Sequence, residues 1–270
     1  MNKLTLSFAA VPLLWCAVSA ARVHIVPPRG AELPAGRGLS VVTLNMAKVT
    51  DAGRIASELR ASPELRPADL LLLQEVKDHT AADVAAALGL QVAEGKAVHS
   101  SEQGLAILSR YPLTDVEVLR LPAYDLVFHS RFRFAIGATA MTPAGPLRVF
   151  DTHLDTRLNA ADRLRQLAPV VQAASRATVP VVIGGDFNSN GFYWLGHVVP
   201  LPVVGGQCER VWRFMEAGGY RSTLAPSTTT FDWLGMHLDW IWARGLRVGE
   251  SAVYPLEFSD HHAVLTRIAL

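Results

Sequence analysis

An acid and an amide two residues apart, Asp186 and Asn188, follow the apolar run Val179-Pro180-Val181-Val182-Ile183 in the string Gly184-Gly185-Asp186-Phe187-Asn188. In extended chain such residues point the same way. A side chain that can handle a proton or a metal then stands beside one that can donate to an oxyanion. The glycine pair lets the backbone turn sharply or approach a ligand closely. Alone, the string reads more readily as a turn. Four further polar groups repeat its layout. Asn45 follows Val41 to Leu44, Gln74 and Glu75 follow Leu70 to Leu73, and Asp151 and His153 end a run from Leu147. Ser259-Asp260-His261 precedes the last apolar run, and Asp239 lies inside an earlier one. Carboxylates and amide oxygens suit a hard cation, and histidines suit proton transfer. Polar groups at loop ends on a rigid scaffold are where chemistry usually sits.

Strands must carry these groups. Leu39 to Leu44 reads as a strand, and Leu70 to Leu73 as a strand buried on both faces. Leu105 to Leu108, Val116 to Leu121, Phe132 to Met141 and Leu147 to His153 form a more antiparallel middle, with Pro143-Ala144-Gly145 as a turn. Val179 to Gly184, Leu238 to Trp242, Arg247 to Tyr254 and Ala263 to Ile268 complete the set. Helices are expected at Asp51 to Leu59, at Thr80 to Leu88 with Thr80 as cap, and at Ala160 to Ala174. The last shows an apolar face of Leu164, Leu167, Val170, Val171 and Ala174. Val211 to Ala217 reads as a shorter one. The pattern is mixed strands with interspersed helices and no βαβ regularity. Two sheets face to face, with helices outside, would bury it.

With 270 residues, 50% hydrophobic and 18% charged, the chain suits one large domain with a sizeable core. A net charge of +1 leaves no basic excess to act as a general nucleic-acid footprint. Lys3, the apolar Leu4 to Trp15 and the small residues Ala17-Val18-Ser19-Ala20 read as a signal peptide over residues 1–20, with export to the periplasm or outside. An uncleaved anchor is the second reading. Residues 21–38, punctuated by prolines and glycines, read as a linker before a domain at 39–270. Loss of Cys16 with the signal would leave Cys208 alone, without a disulfide partner and without support for a catalytic role.

Taken together and in order, these strings resemble the endonuclease/exonuclease/phosphatase superfamily, which includes deoxyribonuclease I-like nucleases, neutral sphingomyelinases and inositol-polyphosphate phosphatases. The matching strings are Leu44-Asn45, Leu73-Gln74-Glu75-Val76, Gly104 to Pro112, Asp151-Thr152-His153-Leu154-Asp155, Arg163 with Gln166, Gly184 to Asn188, Leu238-Asp239-Trp240-Ile241 and Ser259-Asp260-His261. The resemblance implies a four-layer α/β (α+β) sandwich, two packed mixed sheets flanked by helices, and divalent-metal phosphoester hydrolysis. Glu75, Asn45 and Asp260 match the family's metal ligands, for Mg²⁺ or alternatively Mn²⁺. Asn45, His153 and Asn188 match its phosphate-binding groups. His261 matches the histidine near the attacking water, where a neutral imidazole can take the proton or position the water. Asp239 matches its carboxylate partner. Asp186 matches an aspartate that orients the water or manages its proton. Arg163, Gln166, Gly104, Ser109 and His262 read as structural.

The departures bear on substrate. Met46-Ala47 lacks the acid that AP-endonuclease-type members carry after the asparagine, and His153 stands where they commonly have tyrosine. The two disulfides expected of vertebrate deoxyribonuclease I are absent. There is little length for the aromatic membrane-inserting hairpin of secreted sphingomyelinases. Trp194, Trp233, Trp240 and Trp242 read as packing rather than as base-stacking or lipid-contacting groups. A phosphodiesterase of nuclease type is expected first, a phospholipid phosphodiesterase second and a phosphomonoesterase third. Its partner would be a nucleic acid or a phospholipid head group, acted on by a monomer with no obligate protein partner. A non-catalytic surface- or lipid-binding module on the same fold is the rival class.

Overall fold

The computed structural model describes residues 22–24, 38–97, 100–124, 133–202 and 206–269. The signal-peptide reading and most of the linker reading lie outside these residues. Within the stretch read as linker, Arg22–His24 forms a short strand (β1).

Chain order then runs β2 (Leu39–Asn45), α1 (Ala52–Ala61), β3 (Leu70–Val76), α2 (Thr80–Leu88), β4 (Gln91–Ala97), β5 (Ser100–Ser109), β6 (Leu113–Arg120), β7 (Phe134–Thr142) and β8 (Gly145–His153). After these come α3 (Ala160–Ser175), β9 (Val181–Asp186), β10 (Tyr193–Leu195), β11 (Val199–Leu201), α4 (Gln207–Ala217), β12 (Asp239–Arg244), β13 (Arg247–Tyr254) and β14 (Ala263–Ala269). Asp51 caps α1 by accepting from the Arg54 amide. Thr80 is not the cap of α2. The helix starts at Thr80 itself, after His79, and no side chain caps it. On α3, Arg163 and Gln166 take the buried places expected for Leu164 and Val171, which lie half-buried. Both polar side chains go inside because backbone carbonyls and Asp155 receive their hydrogens.

One sheet orders its strands β1-β4-β5-β3-β2-β14-β13, the other β12-β9-β8-β7-β6. Alternation along β2 shows how they stack. Val41 joins the core between the sheets, whereas Val42 and Leu44 join the cluster under α1 and α2. A third cluster with Trp240 and Trp242 at its centre lies under α3 and α4. The result is four layers: helices, sheet, sheet, helices.

The expectation of no βαβ regularity fails. β2-α1-β3 and β8-α3-β9 are both parallel units, one in each sheet. The strand, helix and strand of each unit were expected from the sequence, but their parallel pairing joins residues too far apart in the chain to be read there. Parallel pairing brings carboxyl ends to a common edge. It sets Asn45 beside Gln74, and His153 beside Asp186. Antiparallel β12 delivers its first residue, Asp239, opposite Asp186.

Candidate active site

The glycine pair acts through close approach. A Cβ on Gly184 would lie 2.5 Å from Leu72 Cδ1 of the facing sheet. One on Gly185 would lie 1.9 Å from the Thr152 carbonyl of β8, and Gly185 has φ +134°. Only glycine lets β9 lie so close to both neighbours, and Asp186 is placed by that approach.

Asp186 is the hub. Its Oδ1 accepts from the Asn188 amide at 2.8 Å, and its Oδ2 from Asn45 Nδ2 at 3.1 Å. His153 Nε2 lies 3.3 Å and His261 Nε2 3.9 Å from the same Oδ2. His261 Nδ1 meets Asp239 Oδ2 at 2.9 Å. Thr230 Oγ1 donates to that Oδ2 at 2.8 Å while accepting from the Leu238 and Asp239 amides. All of these site groups are buried.

Burial drives the electrostatics. It raises Asp186 to about 7, helped by the Asp239 charge and opposed by His261 and by hydrogen bonds from Asn188 and Asn45. Burial alone would lower His261, but the charge and hydrogen bond of Asp239, with Asp186 and Asp260, push it up to about 10. Burial holds His153 well below its ordinary value, reinforced by the charges of Arg133, His261 and Lys48.

The second half of the cluster is open. A register shift in the β3–β5 pairing falls between Leu73 and Val76, and Glu75 sits inside it with φ 54°. Left-handed backbone at a non-glycine residue is strained, and a bulge re-aims its side chain. Among the described residues the Glu75 carboxylate takes no hydrogen bond. Asp260 is exposed on a bend. That bend is tied to the end of β2, because Ser259 Oγ donates to the Asn45 carbonyl at 2.6 Å and accepts from the His261 amide. Asn45 Oδ1 accepts one hydrogen, from the Ala47 amide. Two carboxylates and an amide oxygen form a donor set that fits a hard divalent cation. Ligand atoms of Asp186, Asp239 and His261 also lie within 4.8 Å of one another. Those three already bind each other and their neighbours.

The structure therefore gathers Asn45, His153, Asp186, Asn188, Asp239 and His261 directly and ties the Asp260 bend to them. Glu75 comes to the same edge through β3. Asn188, at φ 48°, already gives one amide hydrogen to the Leu154 carbonyl and keeps another. Arg163 and Gln166 brace the segment after β8, and Arg163 also that after β9. His262 is structural, pairing with Asp232 at 3.1 Å. Burial pushes the Cys208 thiol up to about 12, which makes it inert as a nucleophile. Thr230 escaped the sequence reading, since nothing in Ser227-Thr228-Thr229-Thr230 sets one threonine apart.

The tryptophans divide. Trp240 and Trp242 are core, as expected, and Trp194 is held by Asn159 and Asn190. Trp233 lies at the rim, 60% exposed, beside Leu234 at 66%. Its ring stacks on Phe192, 5.9 Å away. A short two-stranded ribbon, β10 with β11, also forms, three residues to a strand. Its cross-strand pairs Tyr193–Leu201 and Leu195–Val199 all point an exposed apolar face outward. A cleft of about 380 Å³ at the foot of the ribbon is lined by Phe192, Pro202, Pro226, Leu234, Met236 and His237.

Two packed sheets with a polar cluster at the carboxyl ends of their parallel strands have the layout of an α/β-sandwich hydrolase. The chain belongs to the endonuclease/exonuclease/phosphatase family, whose family model matches residues 42–261. Members of that family are phosphoester hydrolases, generally dependent on a divalent metal. Among solved structures, an endonuclease/exonuclease/phosphatase from Beutenbergia cavernae is similar with TM-score 0.65 and 21% identity, over 87% of this chain and 72% of that one. D. rerio TDP2 complexed with a single-strand DNA product is similar with TM-score 0.63 and 16% identity, over 86% and 99%. Sphingomyelinase C from Streptomyces griseocarneus is similar with TM-score 0.60 and 15% identity, over 85% and 99%. No curated protein matches the chain in sequence.

Proposed function

We propose that this protein hydrolyses a phosphodiester by metal-assisted attack of water. The observation that carries the reading is the convergence of His261, locked to Asp239, and His153 on one oxygen of Asp186. Glu75, Asn45 and Asp260 would hold the ion, Mg²⁺ or alternatively Mn²⁺. Such an ion polarises the phosphoryl oxygens and stabilises the leaving oxygen when bound. Asp239 fixes the His261 tautomer and favours the charged ring. His261 then orients the water and offers positive charge to the phosphoryl group. That leaves Asp186, rather than His261, as the acceptor of the water's proton, since its carboxyl titrates near neutrality. As the new oxygen–phosphorus bond forms, the bond to the leaving oxygen breaks. His153 and the free amide hydrogen of Asn188 donate to the charged phosphoryl oxygens.

The test is hydrolysis of bis-p-nitrophenyl phosphate with Mg²⁺, with Mn²⁺ and with excess chelator. Release that needs metal, and that His261→Ala loses, establishes a phosphodiesterase. Binding of phosphoesters without hydrolysis of any would instead indicate the non-catalytic module.

Nuclease chemistry remains the first substrate reading. Steep salt dependence of DNA or RNA turnover would favour it. One observation supports a phospholipid substrate as the second. Gly191 to Pro202 contains no acidic or basic residue besides His197, and its exposed apolar face adjoins Trp233, Leu234 and the apolar cleft. Contiguous exposed apolar surface marks contact with lipid, ligand or protein. Turnover of phospholipid vesicles in preference to nucleic acid would decide for it. The proposal requires no protein partner and takes the chain as a monomer. Export belongs to it as well, resting on Lys3, the apolar run and Ala17 to Ala20. Amino-terminal sequencing of protein from periplasm and medium would check it, and a retained Met1 would refute cleavage.

A further inference from the structure

Gln74 and Asp151 are strand-end polar residues for which the reading above has no use. Gln74 lies in β3 of one sheet, Asp151 in β8 of the other, and both are fully buried. Across the space between the sheets, Gln74 Nε2 donates to Asp151 Oδ1 at 2.7 Å. The same nitrogen faces Thr43 Oγ1 and the Leu72 carbonyl, each at 3.0 Å. The opposite atoms carry the information. Gln74 Oε1 and Asp151 Oδ2 are both buried, and neither has a hydrogen-bond partner among the described residues. Buried polar atoms are nearly always satisfied. Two bare oxygens on two groups that already share one hydrogen bond are both satisfied by a single proton between them.

An ionised Asp151 would also lie between the sheets without a counter-ion. Among the described residues no cation pairs with it. The charged group that acts on it is Asp186, from β9, and has the same sign. On its own strand stands His153, which is neutral, and on β3 stands Glu75, another acid. β2 and β5 present Thr43 and Ala106. We propose that Asp151 is a neutral carboxylic acid that donates to Gln74 Oε1 while accepting from Gln74 Nε2, a cyclic acid–amide pair bridging the two sheets. Burial holds its carboxyl well above the usual range, against the pull of Gln74 and of the Thr152 and Ala106 amides.

The position of this bridge gives it a use, which rests on the phosphodiesterase reading. Gln74 immediately precedes the strained Glu75, and Asp151 lies two residues before His153. The pair therefore pins the carboxyl ends of β3 and β8 to each other. It sets the cation-holding side of the site against the phosphate-holding side. Both members are positioning residues.

Asp151→Asn keeps both hydrogen bonds, with an amide hydrogen in place of the acid proton. Asp151→Ala and Gln74→Ala remove them. On bis-p-nitrophenyl phosphate the alanine variants should lose kcat by about 10²-fold with a smaller change in KM, the cost of a site misplaced by about an ångström. Asp151→Asn should restore kcat to near the wild-type value. The wild type binds a proton at Asp151 that its unfolded chain releases, so its stability falls as pH rises through that window. Asp151→Asn should thus melt above wild type by a margin that widens as pH rises above the ordinary carboxylate range. Infrared difference spectra should show a protonated carboxylic C=O stretch in wild type that Asp151→Asn lacks. An Asp151→Asn protein that melts below wild type at alkaline pH, or that loses no such band, overturns the pair. If no variant or wild type turns over any phosphoester, the phosphodiesterase reading fails, while melting and infrared spectra still decide the pairing.

Discussion

Asp239 and Glu75 are both acids at the catalytic edge, and the fold treats them in opposite ways. Asp239 is fully buried, takes His261 and Thr230 on one oxygen, and faces Asp186 across a strand pair. Glu75 is half-buried on strained backbone, and among the described residues it takes no hydrogen bond. The contrast extends to their neighbours. His153, Asp186 and His261 interlock, whereas Asp260 stands exposed. Groups that move protons need a protonation state fixed before substrate arrives, and buried partners fix it. Groups that receive a cation from solution must stay unpaired until it comes. On the reading proposed above, one half is finished by folding and the other by a ligand.

The largest expected effect breaks the finished half. Asp186→Ala should lower kcat/KM on bis-p-nitrophenyl phosphate by about 10³-fold, with unchanged circular dichroism and no recovery in excess Mg²⁺. Glu75→Gln should cost roughly 10²-fold at low Mg²⁺. Here raising the Mg²⁺ concentration should return much of the loss. If Mg²⁺ rescues both variants, or neither, the division of the site is wrong. Asp260→Asn should be milder, about tenfold, and should appear mainly as a raised Mg²⁺ midpoint in activity titrations.

The smallest effect concerns stability. His237 stacks on Trp240 at 3.8 Å, and both of its ring nitrogens face carbonyl oxygens. Burial lowers it from 6.5 to about 4, against the pull of Asp239 and the two carbonyls. The unfolded chain therefore takes up a proton first as pH falls, and stability is lost between about 6.5 and about 4. The loss is on the order of 3 kcal/mol at most. His237→Gln should flatten that acid limb in urea melts at a series of pH values. An unchanged limb would show that the buried half does not hold His237 neutral.

Much of the site was legible because strand ends are legible. Apolar runs stopped by Asn45, Glu75, His153 and Asp186 announce themselves without knowledge of pairing. Thr230 was not legible, because its use depends on a turn that folds back onto Asp239. The ribbon was missed for a related reason. The section from Phe192 to Pro226 shows no clear periodicity, and only the fold places Tyr193 to Leu201 as an exposed ribbon outside both sheets. The buried Arg163 and Gln166 broke the apolar periodicity of α3, since their partners lie on distant segments.

By itself, then, the sequence determined the class of the fold, the order of most of its strands and helices, and the identities of the acids, amides and histidines at their ends. These follow from local periodicity and from residue chemistry, both carried by neighbouring positions. Tertiary structure alone decided that two βαβ units face each other and that His153 and His261 approach one oxygen of Asp186. It also decided that Gln74 meets Asp151 between the sheets and that Glu75 is left open. Pairing, burial and the charge of neighbours far along the chain set all four, and none of these is a property of a local stretch.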